Sequence, residues 1–158
     1  ERYPAFEDHL LLAVPKVLSI NEMHAGSSLT ADDVAGGRHL RPDCPCASLD
    51  AFRSLDFILL NSGNNLHDRA KQLFQEAGFH PNIKMELSQL VTAYRLAEAS
   101  LGATFVSDRL VVHGENNLCY YKLDSALTTR MFYMLLPNRK YTSNAVRAFV
   151  DFCILSLQ

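Results

Sequence analysis

From Asp56 to Val106 short apolar runs alternate with amphipathic helical stripes, and this alternation most limits what the chain can fold into. Asp56-Phe57-Ile58-Leu59-Leu60 reads as a buried strand, and the polar, turn-forming Asn61-Ser62-Gly63-Asn64-Asn65 follows it. Leu66, Ala70, Leu73, Phe74 and Ala77 then fall on one helical stripe, closed by Gly78 and Pro81. Ile83, Met85 and Leu87 alternate with Lys84 and Glu86 as in a half-exposed strand. Ser88 is placed to cap a second helix, whose stripe is Leu90, Ala93, Tyr94, Ala97 and Leu101 and whose end is Gly102. Residues 103–106 form the next strand. The order βαβαβ predicts an open, mostly parallel α/β sheet with crossover helices.

The flanks are less regular. His9 to Val14 is an apolar run stopped by Pro15, and it reads as a strand buried on both faces. Such a strand needs neighbours on both edges, so the sequence looks like a piece of a longer protein. Between Lys16 and Leu55 the pattern weakens into a long connection. Two helical turns fit within it, one capped by Thr30 with Asp33 at the third position and one capped by Ser48 and running through Phe52. Beyond Asp108, strands are expected over 118–123 and 130–136. A last helix, capped by Thr142 or Ser143, carries the stripe Val146, Phe149, Val150, Cys153, Ile154 and Leu157, which calls for a partner surface.

Composition removes several function classes. Fifteen Lys and Arg against 17 Asp and Glu, scattered along 158 residues, give no basic footprint for phosphates, so this chain by itself is not expected to bind nucleic acid. No uncharged apolar run reaches the roughly 18 residues of a membrane span, so no membrane partner is expected. Cys44, Cys46, Cys119 and Cys153 fit no zinc spacing. They are read as reduced thiols, with Cys44-Pro45-Cys46 as a rigid loop, and point to the cytoplasm. Neither a metal nor a cofactor is expected. No G-x-S-x-G elbow, Walker A loop, H-E-x-x-H or G-x-G-x-x-G occurs, and His67 and His113 read as solvated side chains, so no catalytic residue is assigned and the chain is not read as an enzyme.

In an open α/β sheet, ligands collect at the carboxyl ends of the strands, beside helix N-termini. Three such ends are visible: Asn61 to Asn65, Ser88 with Gln89, and Ser107 with Asp108. All are small, polar or amide-bearing, which suits holding a carboxylate or a hydroxylated metabolite without transforming it. Ordinary helix capping by Asn65 and Ser88 is the competing reading.

The segments DFILLNSGNNLHDRAKQLFQEAGFHPNI, MELSQLVTAYRLAEASLGATFVSD and KYTSNAVRAFVDF, in this order, resemble the effector-binding domain of LysR-type bacterial transcriptional regulators over about residues 7–158. The resemblance implies a type II periplasmic-binding-protein-like fold of two α/β lobes holding a small-molecule effector between them. On that reading residues 1–15 are the strand leaving an incomplete first lobe, 16–55 a long connection, 56–123 a mostly complete second lobe, and 124–158 the return strand and C-terminal helix. Asn61, Ser62, Gly63, Asn64, Ser88, Gln89, Val106 and Ser107 are carried over as the second lobe's half of the effector site. Asn61 stands where many members carry Arg or Lys, so the loop offers an amide rather than a full charge. The resemblance further implies that DNA is contacted only through a helix-turn-helix domain upstream of Glu1, and that the uncovered lobe-one surfaces drive self-association. The alternative is a transporter's solute-binding protein with the same two lobes.

Overall fold

The computed structural model describes residues 2–136 and 142–157, so Lys140 and Tyr141 of the terminal motif lie outside the described residues. The chain divides into two compact units, residues 9–128 and residues 1–8 with 129–158. The segment 16–55 therefore falls inside the larger unit.

The larger unit is built on a mixed sheet. The strand β1 (Arg2–Pro15) enters it at His9 and lies between β5 (Thr104–Ser107) and β6 (Leu118–Lys122), antiparallel to both. The short β2 (Ser28–Leu29) extends the β6 edge. On the other side β3 (Asp56–Leu60) and β4 (Asn82–Leu87) pair in parallel, and a parallel bridge from Phe57 to Ala103 joins β3 to the start of β5. Thus β4, β3, β5 and β6 run one way and β1 runs against them. The expectation of a mostly parallel sheet is corrected at this point. Apolar periodicity reports burial but not direction, and β1 arrives from the other unit instead of through a crossover helix.

Alternation along β1 separates two cores. Leu12 and Val14 pack in one cluster with Phe57, Leu73, Phe74, Phe105 and Tyr121. Leu11 and Ala13 pack in the other with Leu29, Val34, Tyr94, Ala97 and Tyr120. The first is covered by helix α3 (Asn65–Ala77), the second by α2 (Ala31–Ala35) and α4 (Leu90–Glu98). A strand apolar at every position is what burial on both faces requires.

Local signals explain the start of α2 and both ends of α3. Thr30 and Asp33 form a reciprocal capping box at α2. The Asn64 side chain caps α3, and Gly78 closes it in the left-handed region at φ 77°. Three expectations are corrected. Gln89, not Ser88, is the N-cap residue of α4, and it makes no side-chain capping bond. Ser48 precedes a 3-10 turn over Leu49–Phe52 and likewise makes no capping bond. Gly102 does not end α4, which stops at Glu98. A Cβ at Gly102 would lie 3.0 Å from the Asp56 carbonyl oxygen and 3.2 Å from Ile58 Cγ1, so glycine is required there for β5 to approach β3. A four-residue helix, α1 (Ile20–Met23), lies in the early connection.

In the smaller unit β7 (Thr129–Leu135) pairs with β1, and α5 (Asn144–Leu157) closes the chain. Phe6 stacks on Phe132 with ring centroids 4.8 Å apart. Asp8, buried, accepts two hydrogen bonds from the Arg130 guanidinium, Nε to Oδ1 at 2.8 Å and Nη2 to Oδ2. At the start of α5 the Val146 N–H donates to Ser143 Oγ. Of the predicted α5 stripe only Val150 is buried; Cys153 and Ile154 are half-buried, and Val146, Phe149 and Leu157 are exposed, as are Phe152 and Leu155 outside the stripe.

Candidate functional site

Because β3, β4 and β5 run the same way, their carboxyl ends share one edge of the larger unit. The sheet thereby brings together the three polar segments that are separated in sequence. Asn61 follows β3, and its N–H donates to the Leu87 carbonyl at 2.8 Å, tying the first loop to the end of β4. Asn61, Ser62, Gly63 and Asn64 are all exposed. Gly63 has φ 88°, which a residue with a side chain adopts only with strain. Asn64 Oδ1 accepts from the Leu66 N–H at 2.8 Å, so this side chain is engaged in capping α3. Capping by Asn65 does not occur, because Asn64 takes that role. Ser88 and Gln89 lie exposed after β4. Val106 and Ser107 are buried at the end of β5, where Ser107 Oγ accepts from the Arg109 N–H at 3.3 Å.

The antiparallel register Leu10↔Ser107 sets His9 beside Asp108 at the same edge. The His9 N–H donates to Asp108 Oδ1 at 3.0 Å, and His9 Nδ1 lies 3.3 Å from Oδ2. From a 3-10 turn over Arg38–Leu40, His39 places Nε2 at 2.8 Å from the same Oδ2. Burial of Asp108 disfavours its charged form, but the hydrogen bonds from His39 and the His9 N–H outweigh it and hold its pKa below the usual carboxylate value. This cluster is absent from the sequence reading. Its members stand 99 and 69 residues apart along the chain, and no spacing motif joins them. His67 Nδ1 lies 3.3 Å from its neighbour Asp68 Oδ1, and His113 faces Asp32 on the exposed surface. All four cysteines are free thiols, with Cys44 buried and Cys46 exposed.

The family model described as the LysR substrate binding domain matches residues 4–157. The chain belongs to this family. It is 30% identical over 114 residues to an uncharacterized HTH-type transcriptional regulator, YcgK, of Bacillus subtilis strain 168; the match covers 72% of this chain and 35% of that protein's length. The chain thus spans about a third of the relative it matches. Among solved structures, the CcmR regulatory domain of Synechocystis PCC6803 in complex with 2-PG superposes with a TM-score of 0.74 at 15% identity, over 100% of this chain and 67% of that one. The effector-binding domain of QuiR in complex with shikimate gives a TM-score of 0.69 at 15% identity, over 99% and 65%. CbnR, solved at full length with its target DNA, gives 0.65 at 15% identity, over 100% and 46%. At these identities the structures establish the fold, that of type II periplasmic-binding-protein-like effector domains. The chain is therefore an effector-sensing domain of the LysR type.

Proposed function

We propose that this LysR-type domain senses a small hydroxylated or carboxylate effector along the edge formed by Asn61–Asn64, Ser88–Gln89 and Val106–Ser107. The observation that carries the reading is the common direction of β3, β4 and β5, which gathers three small polar segments at one edge. Such an edge offers hydrogen bonds from backbone N–H groups, amides and hydroxyls, with Asn61 contributing an amide where a full charge would otherwise stand. That suits a neutral or singly charged ligand. Shikimate, seen with the QuiR domain, is a ligand of this chemistry. In the parent regulator, effector binding would shift a conformational equilibrium and change how a helix-turn-helix domain engages DNA. DNA contact belongs to that parent, whose setting is the cytoplasm. Among the described residues no helix is long and apolar enough to cross a membrane. The transporter alternative shares the fold but not the family, and no catalytic role is part of this reading.

Screening small hydroxylated carboxylates by thermal shift tests the proposal. A ligand that stabilises the chain should lose about tenfold in affinity in Ser107→Ala and in Asn61→Ala, the equivalent of about 1.4 kcal/mol each. Ligands that bind both variants as tightly as the natural chain would count against this edge.

We also infer that the chain self-associates through its uncovered apolar surface. On α5, Phe149 is 63%, Phe152 66% and Leu155 80% exposed. Apolar side chains grouped in this way mark an association surface. Light scattering across a concentration series should show a rising average mass, and a constant monomer mass at high concentration would contradict it.

A further inference from the structure

We propose that His9, His39 and Asp108 form a binding site for a divalent transition-metal ion of the Zn2+ class at the edge of the larger unit. One potential ligand atom from each lies within 4.8 Å of the other two. The contacts to Asp108 Oδ2 are 3.3 Å from His9 Nδ1 and 2.8 Å from His39 Nε2. Ligand atoms held about 2.0–2.2 Å from a tetrahedral ion sit roughly 3.3–3.6 Å from one another, so small side-chain rotations bring the set to coordination distance. Two imidazoles and one carboxylate make a borderline donor set that suits Zn2+, Co2+ or Fe2+. Ca2+ and Mg2+, which prefer oxygen ligands, do not fit it.

Two further features set this cluster apart from an ordinary surface ion pair. The carboxylate is oriented by the main chain, because Oδ1 accepts the His9 backbone N–H at 3.0 Å while Oδ2 faces both rings. Outer contacts of this kind hold a metal ligand in position before the ion arrives. The ligands are also graded in burial: His39 is 4% exposed, and the side chains of Asp108 and His9 are 10% and 28% exposed. A cavity of about 400 Å³, lined by His39, Asp108, Arg109, Val111 and His113 among others, gives a route to the cluster and room for water to complete the coordination.

The site is defined by its own donors and does not depend on the effector reading. Asp108 directly follows Ser107, so an ion there would offer a positive charge to an anionic ligand at the same edge. Titrating the metal-stripped chain with Co2+ at fixed neutral pH tests it. The expected result is a 1:1 endpoint with the visible ligand-field bands of four- or five-coordinate Co2+. His9→Gln, at the exposed rim, should lower affinity about 100-fold while leaving the circular dichroism spectrum unchanged. Asp108→Asn should do likewise, and the double variant Cys44→Ser/Cys46→Ser should bind as the natural chain does. Absence of a stoichiometric endpoint, unchanged affinity in His9→Gln, or loss of binding in the cysteine variant would each overturn the assignment. Because the probe is the metal alone, failure here leaves effector binding at Asn61, Ser88 and Ser107 a separate question.

Discussion

Replacing Arg130 with alanine is expected to lower the stability of the domain by about 3–5 kcal/mol, seen as a large drop in the urea midpoint. The reason lies in the smaller unit, where Arg130 on β7 holds the carboxylate of Asp8 on β1 with two parallel hydrogen bonds. Both side chains are withdrawn from water, at 13% and 3% exposure. Removing the guanidinium leaves a buried carboxylate without its counter-charge, and that desolvation is the larger part of the cost. Arg130→Lys keeps a charge but not the planar fork, so it should recover only part of the loss. The double change Asp8→Asn/Arg130→Met removes both charges and should be markedly milder than Arg130→Ala. A midpoint for Arg130→Ala within about 1 kcal/mol of the natural chain would show that the pair contributes little.

A comparable loss, about 3–5 kcal/mol, is expected for Phe57→Ala. Phe57 is fully buried on β3 and meets Phe74 edge-on, with ring centroids 4.9 Å apart. It also stands at the bridge to Ala103, where β3 and β5 join. The cavity left by alanine would open between the sheet and α3, which is the support of the Asn61–Asn64 loop. Effector affinity should therefore fall together with stability. Phe57→Leu retains most of the volume and should cost about 1 kcal/mol. Equal stability in the two variants would mean that the aromatic cluster adapts without forming a cavity.

Much of the larger unit is legible in the sequence because its elements carry local signals. Asp56–Leu60, the stripe of α3 and the alternation of β4 each declare a period, while Asn64, Gly78 and the Thr30–Asp33 box mark ends by their own backbone chemistry. What is not legible depends on contacts distant in sequence. Nothing in the run His9 to Val14 says that β1 inserts antiparallel between β5 and β6, because a run apolar at every position has no direction. Gly102 reads as a helix terminus, yet its role is set by the Asp56 carbonyl 3.0 Å from where a Cβ would be. Ser88 has the chemistry of a cap, but α4 begins one residue later. The candidate site divides in the same way. Its strand-end loops are visible as polar punctuation after apolar runs, whereas His9, His39 and Asp108 become neighbours only through the register of β1 on β5 and the turn that carries His39.

The proposed effector surface is the carboxyl edge of β3, β4 and β5. Its most direct test is an amide-resolved NMR titration of the 15N-labelled chain with the hydroxylated carboxylates that raise its thermal midpoint. Saturable shifts should concentrate at Asn61 to Asn64, Ser88, Gln89, Val106 and Ser107, and in Ser107→Ala should require about tenfold more ligand to reach half-saturation. Saturable shifts confined to other parts of the chain, with these eight residues unmoved, would contradict the account.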